Sequence, residues 1–300
     1  MTDLDRLLSE HGLLTTAEAR SRGLGEHELR RAVGNGLLRR VRRGVFAAPS
    51  AWDPAPPWER FRLTVVGVLL GHPGWAASHH AALAVHGLPL VGVDLGRVDV
   101  VADVGTSKRR DGVHVHRRTV PSVEVGGLRV VPVAEACVAT AAAGGLEPGL
   151  VAMDAALHSG RCDRADLGRA VAAHGARTGA ERARRAVELA DPAAESPGET
   201  RTRMVVASLG VPVRSQVEVH DALGFVGRVD LLVGGRVVVE FDGLTKYAGA
   251  DGPHALAREK RREERLRDAG YRVVRVTWAD LERPAQLLAR VRAALAAAAA

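Results

Sequence analysis

The stretch from Arg228 to Gly243 constrains the fold of this chain more than any other. Two runs rich in Val and Leu flank Gly234-Gly235, and paired glycines supply the positive φ angles of a tight hairpin turn. A hairpin of this composition belongs in a core, yet Asp230, Glu240 and Asp242 interrupt it. A carboxylate on a core strand is costly unless it is paired or bound to a metal. Residues two apart on a strand share a face, which puts Glu240 beside Asp242. The three acids predict a divalent-metal site for phosphodiester cleavage. Register sets a condition on it. A strict two-residue turn at Gly234-Gly235 pairs position 230 with 239, and Asp230 and Glu240 then face opposite sides of the sheet. Sharing a metal requires a bulge or a longer turn.

Three hundred residues, 46% of them hydrophobic, suffice for two or three domains and exclude the disordered class. The net charge of +7 favours a polyanionic partner. Cys137 and Cys162 have neither metal-ligand nor redox spacing and read as small residues of a reducing compartment. Met1 to Glu10 is charged and lacks the apolar core of a signal peptide, and no run reaches the roughly 18 apolar residues of a membrane span. The expectation is a cytoplasmic protein with no membrane partner. The fold class expected is α/β (α+β multi-domain): a winged helix-turn-helix over 1–48, an α+β connecting region over 58–190, and a sheet flanked by helices over 195–298.

Leu4, Leu7 and Leu8 have helical spacing, and Thr15-Thr16-Ala17-Glu18 fits a capping box that opens a second helix. Glu26 to Asn35 forms a third, with Leu29, Ala32 and Val33 on one face, closed by Gly36. Leu37 to Ala47 then gives a strand, a turn at Gly44 and a returning strand. Arg30 and Arg31 lie off the apolar face of the third helix, and Arg39, Arg40, Arg42 and Arg43 crowd the wing. Guanidinium groups suit phosphate oxygens and guanine edges, so DNA is the expected partner. The plainer alternative is a charged edge that protects the hairpin from aggregation. Leu14 to Ala19, the third helix, and Gly36 to Phe46 resemble the N-terminal winged helix of AbiEi-family antitoxins and related transcriptional regulators. The resemblance covers about 45 residues and implies DNA binding, with a cognate toxin as partner if the chain works as an antitoxin.

Ser50 to Pro57 is a proline-rich linker. Beyond it come a helix from Trp58 to Leu70, a short helix opened by Ser78, strands at Val98–Ala102 and Val113–Arg117 around a basic loop (105–112), a hairpin turning at Gly126-Gly127, and four further helices. His79, His80 and His86 fall on the short helix. No carboxylate or cysteine joins them at ligand spacing in the sequence, so they read as packing and surface histidines.

From Glu195 the order expected is α-β-β-β-α-β-α. Ser196-Pro197-Gly198-Glu199 forms a capping box, which leaves Glu199 either a cap or a metal-side carboxylate. Glu199, Gln216, Arg228-Val229-Asp230, Val239 to Gly243, the Glu259-to-Gly270 run and Val274-Arg275 resemble very-short-patch-repair-like endonuclease domains, which are similar to the PD-(D/E)xK nuclease superfamily. The resemblance covers about 105 residues. It implies a restriction-endonuclease-like core in which Asp230 and Glu240 hold Mg²⁺ or Mn²⁺, whose bound water attacks the phosphodiester. Asp242 stands where that pattern has its lysine. It can bind metal or accept a proton but cannot supply the cation, for which Lys246 and Arg262 are the candidates. Two readings stay open: a metal-dependent endonuclease of DNA repair or phage defence, and an antitoxin-like regulator with a degenerate nuclease fold. Winged helices often act in pairs, which leaves a homodimer open as well.

Overall fold

The computed structural model describes residues 11–118, 120–243 and 252–299, with side chains of the last segment from residue 258 onward. Leu4, Leu7, Leu8 and Lys246 lie outside the described residues. The chain is a mixed α+β protein that divides into two compact units. One comprises residues up to Ala152 together with Arg161–Glu188, and the other Met153–Gly160 with Leu189–Ala300.

The first unit begins with β1 (Leu13–Thr15), α1 (Thr16–Ser21), α2 (Glu26–Gly34), β2 (Arg39–Arg42) and β3 (Val45–Ala47). The sheet order is β1-β3-β2, all antiparallel. The expected capping box is present at α1: Thr15 Oγ1 accepts from the Glu18 amide at 3.1 Å, and Glu18 Oε2 accepts from the Thr15 amide at 2.8 Å. Leu14, Ala19, Leu29, Leu38 and Phe46 close a small core between helices and sheet. Strand β1 was not expected; three residues are too few for a period to show, and pairing with β3 defines them.

After α3 (Pro49–Trp52) comes α4 (Pro57–Leu70), whose Gly67 lies so close to Val45 of β3 that a Cβ would sit 2.7 Å from its side chain. The chain continues through β4 (Ala76–Ala77), α5 (His79–Val85), β5 (Val98–Ala102), β6 (Lys108–Arg110), β7 (Val113–Arg117), β8 (Val123–Val125) and β9 (Leu128–Val130). These strands form one six-stranded sheet of order β6-β7-β5-β4-β9-β8, with β5 parallel to β7 and β4 parallel to β9. Part of the expected basic loop is therefore strand β6, paired with β7. Helices α6 (Val133–Gly144), α7 (Leu146–His158), α8 (Arg164–His174) and α9 (Ala180–Leu189) follow, α7 ending in the second unit.

The second unit is built from α10 (Pro197–Ala207), β10 (Val213–Asp221), β11 (Gly224–Val233), β12 (Val237–Phe241), α11 (Gly252–Asp268), β13 (Arg272–Val276), α12 (Trp278–Leu281) and α13 (Pro284–Ala299). Its sheet runs β10-β11-β12-β13, and only the β12–β13 pair is parallel. Leu231, Val233, Val237 and Val239 pack with Val206 of α10, Leu281 of α12, and Leu287 and Val291 of α13. Leu232 and Val238 pack with Leu266 of α11. The alternation of the hairpin thus feeds two apolar layers, one on each face of the sheet.

Candidate functional site

Strands β11 and β12 are joined by three residues, Gly234, Gly235 and Arg236. The register is Val233↔Val237, Leu232↔Val238 and Leu231↔Val239, with φ of 59° at Gly234 and 73° at Gly235. Continued by one residue, this register sets Asp230 opposite Glu240 on one face of the sheet. The strands part there: the amide of Phe241 donates to Asp230 Oδ2 at 2.8 Å. On the other side of β11 the ladder also breaks. Gln216 sits between the pairs Ser215↔Leu231 and Val217↔Val229 with φ of 50°. A longer turn, not a bulge, brings the two acids to one face.

Asp230, Glu240 and Asp242 line one pocket together with Arg228, Glu259, Arg262 and Arg275. They come from β11, β12 and its end, α11 and β13. The parallel β12–β13 register places Arg275 beside Glu240. Helix α11 sends Arg262 to Glu240, Nη2 donating to Oε1 at 2.5 Å, and the same nitrogen reaches the carbonyl of Arg228 at 3.0 Å. Glu259 Oε1 accepts from Arg262 at 3.2 Å and from Arg275 at 2.5 Å. Burial pulls the Arg262 guanidinium down, but Glu240 and Glu259 more than offset this and its pKa is raised. Arg275 behaves alike: burial lowers its pKa, and Glu259 and Glu263 carry it upward by more. The amide of Asp242 extends the parallel ladder to the carbonyl of Val276 at 2.7 Å.

Glu199 is not among the residues that line this pocket. Its Oε1 accepts from Ser196 Oγ at 2.7 Å, and its Oε2 accepts from the Glu195 amide at 3.0 Å and from Gln216 Nε2 at 2.9 Å. Ser196 caps α10 as the sequence predicts, while the Glu199 carboxylate ties the helix start to the distorted point of β10. The approach of α10 to the hairpin is close. A Cβ on Gly198 would stand 2.1 Å from Phe241 Cε1, so glycine at this position lets the helix pack against the residue between Glu240 and Asp242.

In the first unit, Arg30 and Arg31 on α2, Arg40 on β2 and Arg43 in the following turn are exposed. Arg39 is engaged, its Nε and Nη2 each 2.8 Å from a carboxylate oxygen of Asp53. Arg42 is half-buried; burial pulls its pKa down and Asp111 works against that. Four of the six arginines are thus exposed, on α2, on β2 and in the turn after β2.

Residues 3–49 match the family of AbiEi antitoxin transcriptional regulators. Two proteins of Mycobacterium tuberculosis, MT2308 of strain CDC 1551 / Oshkosh and Rv2248 of strain ATCC 25618 / H37Rv, are each 30% identical to the chain over 266 residues. That span covers 86% of this chain and 93% of each mycobacterial protein. The chain belongs to their family. Both relatives are uncharacterized proteins. Family membership therefore extends across both units, while the named regulator domain covers α1, α2 and the three-stranded sheet beside them. Among the described residues, no helix is long and apolar enough to cross a membrane.

One expectation is corrected. His79, read as a packing or surface histidine for want of a neighbouring carboxylate, lies in a cluster with Asp99 and His116. The carboxylate comes from β5 and the second imidazole from β7, twenty and thirty-seven positions further along the chain.

Proposed function

We propose that this protein is a DNA-binding transcriptional regulator of the AbiEi type, which engages duplex DNA through α2 and the β2–β3 wing. The observation that carries this reading is the exposed set Arg30, Arg31, Arg40 and Arg43 in the domain that matches the regulator family. Exposed guanidinium groups neutralise phosphates and release counterions, which gives salt-sensitive affinity. A recognition helix adds contacts to base edges in the major groove. A cognate toxin as partner, a homodimer and a cytoplasmic location go with this reading. Genomic fragments enriched on the immobilised full-length chain test it: recovery of a discrete set lying upstream of coding regions supports the regulator, and uniform recovery of the genome counts against it.

A second reading rests on Asp230, Glu240 and Asp242 lining one pocket with Arg262. The oxygen-only donor set suits Mg²⁺ or Mn²⁺. Asp230 and Glu240, opposite each other, would hold the ion, Asp242 would add a ligand, and the ion would lower the pKa of a water that attacks phosphorus. Arg262 already supplies a cation to Glu240, and for a phosphodiester in the pocket it would meet the scissile phosphate in place of the lysine absent at position 242. Glu199 would act through Gln216 as a support for β10. The restriction-endonuclease-like architecture belongs with this reading, as does the division into winged helix, connecting region and nuclease domain. Incubation of supercoiled and mismatched DNA with Mg²⁺ or Mn²⁺ tests it. Nicking by the wild-type chain that Asp230→Ala abolishes supports a nuclease. Intact DNA with both proteins leaves the pocket an ion-paired strut of the regulator.

A further inference from the structure

Asp99 is a buried carboxylate surrounded by basic side chains. Its side chain is only 2% exposed, on a strand whose five residues are all buried. Parallel pairing sets Asp99 beside His114 and Val101 beside His116, so Asp99, His114 and His116 project from one face of the sheet. Strand β4 ends against β5, and the Ser78 amide donates to the Asp99 carbonyl at 2.9 Å. That contact brings the first turn of α5, with His79 and His80, over the same carboxylate.

The result is one acid among four imidazoles. Asp99 Oδ1 is 2.7 Å from His116 Nε2 and 3.3 Å from His114 Nδ1. Asp99 Oδ2 is 2.9 Å from Arg97 Nε and 3.5 Å from His80 Nδ1. His80 is spoken for, its Nε2 facing the carbonyls of Asp94 and Arg97 at 3.0 and 2.8 Å. Arg97 gives the carboxylate a permanently charged partner, and the imidazoles crowd round it in addition. Donor atoms of His79, Asp99 and His116 all lie within 4.8 Å of one another.

We propose that His79, Asp99 and His116 bind a divalent first-row transition-metal ion such as Zn²⁺. Two imidazoles and a carboxylate are a donor set that such ions favour over Mg²⁺ or Ca²⁺. Ligands about 2.0–2.1 Å from a tetrahedral ion stand roughly 3.3 Å from each other, so side-chain adjustments of about an ångström close the site. The surroundings supply what metal ligands need beyond themselves. His79 Nδ1 is 3.0 Å from Ser78 Oγ; an N–H donated there leaves the lone pair on Nε2. Arg97 fixes Oδ2 of Asp99, and Oδ1 is the oxygen that faces His116. His79 also sits at φ of 51°, in the left-handed region. For His116 Nε2 to bind the ion, the neutral imidazole carries its proton on Nδ1, so the contact with Asp99 Oδ1 gives way to shared ligation. Three protein ligands leave a fourth position for water or an exogenous group. The site is independent of the carboxylate pocket in the second unit, which offers oxygen donors alone.

The test uses the tag-free, full-length chain, stripped with a chelator, then titrated with Zn²⁺ against a chromophoric competitor and with Co²⁺ followed by visible absorption. The expected result is one ion per chain and a Co²⁺ ligand-field spectrum without thiolate charge transfer. His79→Gln and His116→Gln should each weaken Zn²⁺ by at least about 100-fold, since loss of a mere outer partner already costs 10–100-fold. His174→Gln, whose imidazole faces the Thr178 carbonyl, should bind as the wild type does. Circular dichroism checks that each variant is folded. No saturable binding by the folded wild-type chain overturns the proposal. So does a thiolate signature from Cys137 or Cys162, or binding that survives both ligand substitutions. If a variant fails to fold, the wild-type stoichiometry and Co²⁺ spectrum still decide.

Discussion

Replacing Arg262 with alanine removes the guanidinium that joins α11 to the hairpin. Arg262 contacts Glu240 at 2.5 Å, with side-chain exposures of 21% and 13% for the pair. With charge centres about 4 Å apart and an effective dielectric near 20, their attraction is about 4 kcal/mol. Holding an arginine in one geometry costs roughly 2 kcal/mol of rotamer entropy. A coupling of about 2 kcal/mol should remain, well above the 0.2–1 kcal/mol or so of an exposed pair. The single substitution should cost more, about 3 kcal/mol, because it leaves Glu240 half-desolvated beside Asp230. The assay is a double-mutant cycle of Arg262→Ala and Glu240→Gln by urea unfolding. The chain has four tryptophans, and Trp278 alone falls in the second unit, its ring 5.0 Å from that of Phe241. A background with Trp52, Trp58 and Trp75 changed to Phe therefore reports this unit by itself. A coupling below about 0.5 kcal/mol would place the pair with ordinary surface ion pairs and refute the reasoning that Arg262 anchors the carboxylate pocket.

Three further outcomes follow from individual contacts. Gly198→Ala drives a methyl into the Phe241 ring; it should destabilise the second unit by about 2 kcal/mol, the range for overpacking, and shift Trp278 emission in the folded state. Thr15→Ala removes the cap that accepts from Glu18 and should lower stability by about 1 kcal/mol in a thermal melt of the first unit. His86, buried with Nε2 2.8 Å from the Val131 carbonyl, has its pKa lowered by burial despite that carbonyl, with Arg161 lowering it further. An unfolded histidine titrates near pH 6.5, so the fold takes up fewer protons than the unfolded chain below that pH. The stability His86 contributes is present above about pH 6.5 and lost as pH falls, with a slope of at most about 1.4 kcal/mol per pH unit. Denaturation of His86→Gln at pH 7, 6 and 5 should show a shallower loss than the wild type.

The sequence made the hairpin and its acids legible because alternation of Val and Leu with carboxylates is a local pattern. It did not make the register legible. Gly234-Gly235 reads as a two-residue turn, and only pairing in the sheet adds Arg236 to it. The partners of Glu240 were hidden for the same reason: Arg275 is adjacent through a parallel strand, and Arg262 reaches back from a helix. The N-terminal helices and the β2–β3 hairpin were legible through a cap and a basic turn, but Asp53, in what reads as a linker, turns out to hold Arg39. The histidine cluster was missed for want of the argument used on the hairpin. Asp99 stands among Val98, Val100 and Val101, a carboxylate on a core strand that needs a partner, and His114 and His116 are spaced to share a face. What no local pattern could supply was the parallel pairing that brings these two strands together.

The reading of the whole chain turns on whether the exposed arginines of the winged helix meet DNA phosphates. The most direct measurement is the salt dependence of duplex binding by the full-length chain, compared with Arg40→Ala/Arg43→Ala and with Arg39→Ala. Each phosphate contact contributes about 0.9 to the slope of log affinity against log salt concentration, so the double variant should lose nearly 2 from the slope. Arg39→Ala, whose guanidinium is held by Asp53, should leave it unchanged. A double variant with the wild-type slope, or a wild-type chain that binds duplex DNA without salt dependence, would contradict the regulator reading.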